Sequence, residues 1–211
     1  MNKVYIFAKS FAATNKQIHV YKNNTNQGIA ITRNTGIQYA MGKFLAFLDS
    51  DDYWDKKKLE KQIHIMNKTN ATISYTGTSY IDAKGHASKY ILRAKTRLGY
   101  KDLLRGNIMS CSSVMVHRDS MINFPQGNMH EDYAVWLLIL KKIGYAHGLD
   151  EPLITYRVSK NSISAKRVGS AIKTRNAYKY VGYGTIASTL LMCRYAVHSI
   201  IKRMKIKQGA R

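Results

Sequence analysis

The chain has 211 residues, 45% hydrophobic and 22% charged, the composition of a folding domain and not of a disordered or Pro-rich segment. Thirty-four Lys and Arg against 12 Asp and Glu leave a formal charge of +22. That excess excludes an ordinary neutral cytosolic protein and asks for a polyanionic neighbour: nucleic acid, anionic lipid or bound phosphates. Two cysteines, Cys111 and Cys193, are too few for a disulfide framework or a zinc site of their own, which indicates a reducing compartment. The apolar run Val4–Ala8 is too short for a signal peptide. Thr185–Ile201, broken by Arg194 and His198, falls short of the roughly 20 apolar residues of a membrane span.

In chain order, Gln17–Tyr21 alternates like a short strand. Asn26 is placed to cap a helix over Ile29–Met41, with Ile29, Ile37 and Ala40 inward and Gly42 as its stop. Lys43–Leu48 is a continuous apolar run, which predicts a strand buried on both faces. It ends at once in Asp49-Ser50-Asp51-Asp52. Asp55 then caps a helix carrying Leu59, Ile63 and Met66. Ala71–Ile81 reads as a strand with a turn at Ala83–His86, and Ser110–Val116 as another. Glu131–Ile143 has the spacing of an amphipathic helix with Trp136, Leu137 and Leu140 on its apolar side, closed by Gly144. Leu153–Val158 is a last short strand. Helices alternating with buried strands give an α/β class.

The charge is unevenly placed. Residues 1–48 and 152–211 contain no Asp or Glu, and the second stretch holds 13 Lys and Arg. All 12 acids therefore fall between Asp49 and Glu151. Three of them crowd the carboxyl end of the buried run, where α/β sheets bind ligands. Such crowding is tolerable around a divalent cation, and hard carboxylate oxygens suit Mg²⁺ or Mn²⁺ bridging to phosphates. The bland alternative is a solvated turn of helix-capping aspartates.

The stretch Asn26 to Ile37 (NQGIAITRNTGI) followed by Gly42 to Trp54 (GKFLAFLDSDDYW) closely resembles family 2 glycosyltransferases of the GT-A fold. A second match is His130-Glu131-Asp132, like that family's ED motif. A third is Glu151–Arg157 (EPLITYR) with Asn161–Ser164, like the segment of members that build bacterial surface polysaccharides, the teichuronic-acid type among them. Together the matches cover residues 15–165. The resemblance implies a GT-A mixed sheet over 1–165, followed by a basic amphipathic helical tail over 166–211. It implies transfer of a hexose from a nucleotide-diphospho-sugar to a lipid-linked or saccharide hydroxyl acceptor, with inversion and with Mg²⁺ or Mn²⁺ as cofactor.

By that resemblance Asp132 is the catalytic base, with Glu131 beside it. Asp51 binds the metal, and Asp49 contributes to the metal and to the ribose or sugar side. Arg33 contacts the nucleotide, and Arg157 with Ser162 or Ser164 reaches the diphosphate. Read as residues alone, Glu131 and Asp132 are ordinary acids of a helix's first turn, Arg33 a surface arginine, and Arg157 part of a basic loop. His130 is set beside the acceptor by its place next to Glu131. The family pattern also begins with a VSVIIPVYN-like strand and a DDGS segment that find no counterpart here. On this resemblance about 50 residues of the pattern are expected to be absent ahead of Met1, and donor binding to suffer.

In the tail, Ile186, Leu190, Cys193, Val197, Ile200 and Met204 recur at helical spacing, with Arg194, His198, Lys202 and Lys205 on another side. Both packing on the domain and docking on an anionic membrane fit this pattern. Lipid-linked acceptors favour the second, at the inner face of the plasma membrane. Two other functions compete: a catalytically dead remnant or scaffold in polysaccharide assembly, and a basic nucleic-acid-binding module. The second has no recognisable DNA- or RNA-binding signature, so no nucleic acid is expected as partner.

Overall fold

The computed structural model describes residues 3–158 and 167–209. Its elements run α1 (Lys3–Thr14), α2 (Ile29–Tyr39), β1 (Phe44–Ala46), β2 (Tyr53–Trp54), α3 (Lys58–Thr69), β3 (Ile73–Ile81), β4 (Arg97–Gly99), α4 (Tyr100–Leu103), β5 (Met115–His117), α5 (Glu131–Ile143), β6 (Tyr145–Arg157), α6 (Arg167–Tyr180) and α7 (Thr185–Gln208). They form two units, Met1–Ala40 and Met41–Arg211.

The amino-terminal unit is helical. Gln17–Tyr21 forms no strand, because a strand needs a ladder partner and none exists among the described residues of this unit. Tyr21 instead stacks on Tyr39, with ring centroids 3.9 Å apart. The cap expected of Asn26 falls to Gly28, whose φ of 82° suits glycine. Asn26 Oδ1 accepts from the Gly28 amide instead. α2 stops at Tyr39, before Gly42, and buries none of its residues, Ile29 and Ile37 included.

The larger unit is a mixed sheet in the order β1-β5-β3-β6-β2, with β4 also on β6. β3 and β6 run parallel, and the other pairs are antiparallel. β6 is far longer than the predicted Leu153–Val158. Its first half carries Gly148, Asp150, Glu151 and Pro152, residues that read as a loop. A register shift at Gly77 absorbs them: Thr76 faces Leu149, but Gly77 faces Pro152. Gly148 is required by crowding, since a Cβ there would stand 2.1 Å from the Lys95 carbonyl oxygen.

β1 is shorter than Lys43–Leu48 and is not buried on both faces; only Leu45 is buried. Among the described residues it is paired on one side alone, by β5, so Phe44 and Ala46 stay half-buried. Ser110–Val116 begins as a 3₁₀ turn, Cys111–Ser113, before β5 starts at Met115. α3 starts at Lys58, and Asp55 makes a turn three residues ahead, its Oδ1 accepting from the Lys57 amide. The buried side of α3 is Lys58, Gln62 and Met66, whereas Leu59 and Ile63 are exposed.

α5 matches Glu131–Ile143 residue for residue and ends at Gly144 with φ 92°. It is buried nearly all round, from Tyr133 to Leu140, and forms the centre of the core. The tail is two helices, α6 and α7.

Candidate active site

The 3₁₀ turn Cys111–Ser113 is the hub of the site. Ser112 Oγ accepts from the Asp49 amide at 3.1 Å and donates to Asp52 Oδ2 at 2.6 Å. The Ser112 carbonyl accepts from Trp54 Nε1 at 2.8 Å. One serine, distant in sequence, thus ties both ends of the acid turn. Behind it, Gln62 Nε2 donates to the Ser113 carbonyl and to Ser74 Oγ, each at 3.1 Å. Gln62 Oε1 accepts from Lys58 Nζ at 2.7 Å, and that ammonium lies 4.2 Å from the Trp54 ring centroid. Burial pushes the Lys58 amine down to about 7.

The other side of the acid turn is the end of β6. Asp52 Oδ1 accepts from the Arg157 amide at 3.3 Å. The Arg157 guanidinium donates to the Tyr53 hydroxyl and lies 5.3 Å from that ring's centroid. β2 pairs with β6 through Tyr53 and Thr155, which sets Tyr53 beside Arg157. Asp52 is therefore buried with both oxygens engaged, while Asp49 is half-buried and Asp51 exposed.

Asp49 and Asp51 fit a hard divalent cation in part. They supply two carboxylates with one residue between them, and Asp51 is the more exposed. Among the described residues no group of three or more His, Cys, Asp or Glu could hold a metal. A cation here would need substrate oxygens to complete its shell, as Mg²⁺ commonly does.

Burial pushes the Asp52 carboxyl up to about 6, against the hydrogen bonds from Ser112 and Arg157 and with help from Asp49 and Asp51. The folded state therefore binds this proton more tightly than the unfolded chain. Its contribution to stability is complete below the ordinary carboxylate value of 3.8 and is lost as pH rises through about 6. Asp52→Asn can keep both contacts by donating its amide to Ser112 Oγ. We expect it to flatten the fall in thermal stability between pH 4 and 6, by roughly 2 kcal/mol across that range. Melting curves of both proteins at pH 4, 5, 6 and 7 check this; parallel curves refute it.

Glu131 and Asp132 open α5, whose amino-terminal dipole favours ionised acids. Asp132 Oδ1 accepts from the Tyr133 amide at 2.7 Å. One turn on, Trp136 packs against Phe47, 6.2 Å between ring centroids and two residues before Asp49. That contact ties the helix bearing Asp132 to the strand leading into the acid turn. His130, the cap residue, joins its Nε2 to Ser170 Oγ at 3.0 Å, so the tail anchors this helix start. Burial holds the His130 imidazole below its ordinary value.

The structure thus brings Asp49, Asp51, Asp52 and Arg157 together. Arg33 stands on α2 in the amino-terminal unit. Ser162 and Ser164 lie outside the described residues. Sequence reasoning missed Ser112 and Tyr53 as parts of the site. Ser112 carries no local signal, since these partners lie 58 or more positions away.

Residues 5–124 match the profile of the family described as Glycosyl transferase family 2. The chain belongs to that family. The putative teichuronic acid biosynthesis glycosyltransferase TuaG of Bacillus subtilis is 34% identical, over 93% of this chain and 79% of its own length. The Escherichia coli enzyme WfaP, named UDP-Glc:alpha-D-GlcNAc-diphosphoundecaprenol beta-1,3-glucosyltransferase, is 33% identical, over 86% of this chain and 72% of its own. TarS of S. aureus, solved with UDP-GlcNAc, has a similar fold, with TM-score 0.65 at 14% identity, over 92% of this chain. The mannosyltransferase PcManGT of Pyrobaculum calidifontis, solved with GDP-Man and Mn²⁺, gives TM-score 0.58 at 14% identity, over 96% of this chain. The chain spans 59% of each of those two solved chains. These likenesses establish the expected GT-A class of the mixed sheet.

Proposed function

We propose that this protein transfers a hexose from a nucleotide-diphospho-sugar to a hydroxyl of a lipid-linked or saccharide acceptor, with inversion, in building a bacterial surface polysaccharide. The observation that carries the reading is the fixed acid turn. Ser112 holds both of its ends and the Arg157 amide engages Asp52, which sets the turn bearing Asp49 and Asp51 beside Arg157. Family membership and the nature of TuaG and WfaP support the reaction class.

Each group then has one task. Arg157, oriented by Tyr53, offers its guanidinium to the diphosphate. Asp132 takes the acceptor hydroxyl's proton as that oxygen attacks the anomeric carbon. A base on the acceptor side gives a single displacement, hence inversion. Mg²⁺ or Mn²⁺ between Asp49 and Asp51 would neutralise charge on the leaving diphosphate. Arg33 and Ser162 or Ser164 are assigned to the donor by the family pattern. Peripheral contact with an anionic membrane, at the inner face of the plasma membrane, completes the reading.

Two measurements test it. Labelled sugar from UDP-glucose, UDP-GlcNAc or GDP-mannose should appear on a diphosphoundecaprenol-linked saccharide, and no transfer from any of a broad donor panel would reject the reaction. Asp51→Asn should remove the metal-dependent part of nucleoside-diphosphate binding, a loss of about tenfold or more. Calorimetry with UDP or GDP, with and without Mn²⁺, reads this directly. An unchanged metal-dependent affinity would move the cation site away from Asp51.

A further inference from the structure

α7 is oriented against the usual rule for a surface helix. Its inward side carries Ser188, Tyr195 and Lys202. Ser188 is buried, Tyr195 packs on Tyr133 with ring centroids 5.4 Å apart, and Lys202 Nζ lies 5.6 Å from the Tyr80 ring centroid. The carboxyl end is tied down as well: the Ile206 carbonyl accepts from Ser88 Oγ, and the Gly209 carbonyl from the Lys89 amide. With that side committed, the apolar residues point out. Ile186, Leu190, Val197, Ile200, Ile201 and Met204 are between 45% and 79% exposed. At 3.6 residues per turn they fall within an arc of about 100° and along roughly 27 Å of helix. Cys193 lies in the same stripe and is exposed.

The margins of the stripe are basic. Arg194 and Lys205 fall on one side of it and Lys207 on the other, by the same helical spacing. No acid occurs anywhere from residue 152 to 211. A protein of charge +22 is a poor partner for a second copy of itself through such a face, because the flanking charges repel. An apolar stripe between cationic margins, on a helix lying flat on its domain, has the chemistry of an interfacial membrane helix. Among the described residues no helix is long and apolar enough to cross a membrane.

We propose that the outward stripe of α7 lies in the interface of an anionic lipid bilayer. The contact has a consequence for the site. Tyr195, on the inner side of the same helix, packs on Tyr133, the residue that follows Asp132, with ring centroids 5.4 Å apart. The helix that enters the lipid interface therefore runs past the proposed base. This deepens the glycosyl-transfer reading, and rests on it, by making the acceptor one that is presented at the lipid surface.

The test uses the whole chain with a polarity-sensitive fluorophore on Cys193; Cys111 is buried and stays unlabelled. Vesicles of phosphatidylcholine with about one-third phosphatidylglycerol should shift the emission to the blue, and phosphatidylcholine alone should do so at least tenfold more weakly. Added salt should reverse much of the binding. In a separate co-sedimentation assay, Leu190→Ser with Val197→Ser should lower partitioning at least tenfold while circular dichroism stays unchanged, since both sites are exposed. No shift on anionic vesicles overturns the proposal. So does binding that the double substitution leaves intact, or a stable dimer that it breaks. Because no donor sugar enters the assay, a failure here leaves the transfer reaction standing. Vesicle binding without any sugar transfer would strike the reaction alone.

Discussion

Asp132→Asn should lower sugar transfer by roughly 10²–10⁴-fold while leaving donor affinity within about twofold, the usual worth of a positioned base. The substitution is nearly isosteric. Its side-chain oxygen can still accept from the Tyr133 amide, so the start of α5 keeps its geometry. What it loses is the charge that accepts the acceptor's proton. Asp132 lies in the first turn of α5, where the helix dipole stabilises its ionised form. Glu131→Gln should cost far less. Single-turnover assays with saturating donor separate the two variants. If Asp132→Asn retained most of the rate and Glu131→Gln lost it, the base would be Glu131.

Trp136→Ala should destabilise the larger unit by about 3–5 kcal/mol, a large share of the roughly 5–15 kcal/mol that holds a domain folded. Trp136 is fully buried at the centre of the core. Its ring meets Phe124 edge-on at 6.0 Å and Phe47 at 6.2 Å. Removing it opens a cavity between α5 and the strand leading to the acid turn, so nucleotide binding should weaken along with stability. Trp136→Phe should cost only about 1–2 kcal/mol. The buried indole N–H has no hydrogen-bond partner among the described residues, so nothing polar is lost with it. Denaturant titrations of the three proteins give both figures. A Phe variant as unstable as the Ala variant would mean that the indole makes a contact the structure does not contain.

The comparison of these two residues shows where local pattern suffices. α5 was legible to the residue because a long apolar run with acids at its start and glycine at its stop leaves one solution. β3 was legible for a similar reason, being a β-branched and aromatic run. Gln17–Tyr21 had the alternation of a strand but no partner to pair with, and alternation alone forms no hydrogen bonds. β6 showed the reverse. Gly148 and Pro152 hid a 13-residue strand, because the parallel pairing with β3 tolerates a register shift that no local rule foresees. The tail's apolar spacing was visible, but its direction was not.

By itself the sequence determined the α/β class, the family and the acid cluster with its candidate base, since each is written in contiguous residues. Which aspartate is buried and which is exposed was decided only in three dimensions. Asp49, Asp51 and Asp52 look alike in the chain, but Ser112 and the Arg157 amide claim both oxygens of Asp52 and bury it, whereas Asp51 stays exposed. The sense of α7 was decided in the same way. A helical wheel ranks faces without saying which one the protein keeps. Here Tyr133, Tyr80 and Ser88 hold the polar and aromatic side inward, so the apolar side faces outward. Both outcomes depend on groups far apart in sequence, whose meeting is a property of packing and not of any local run.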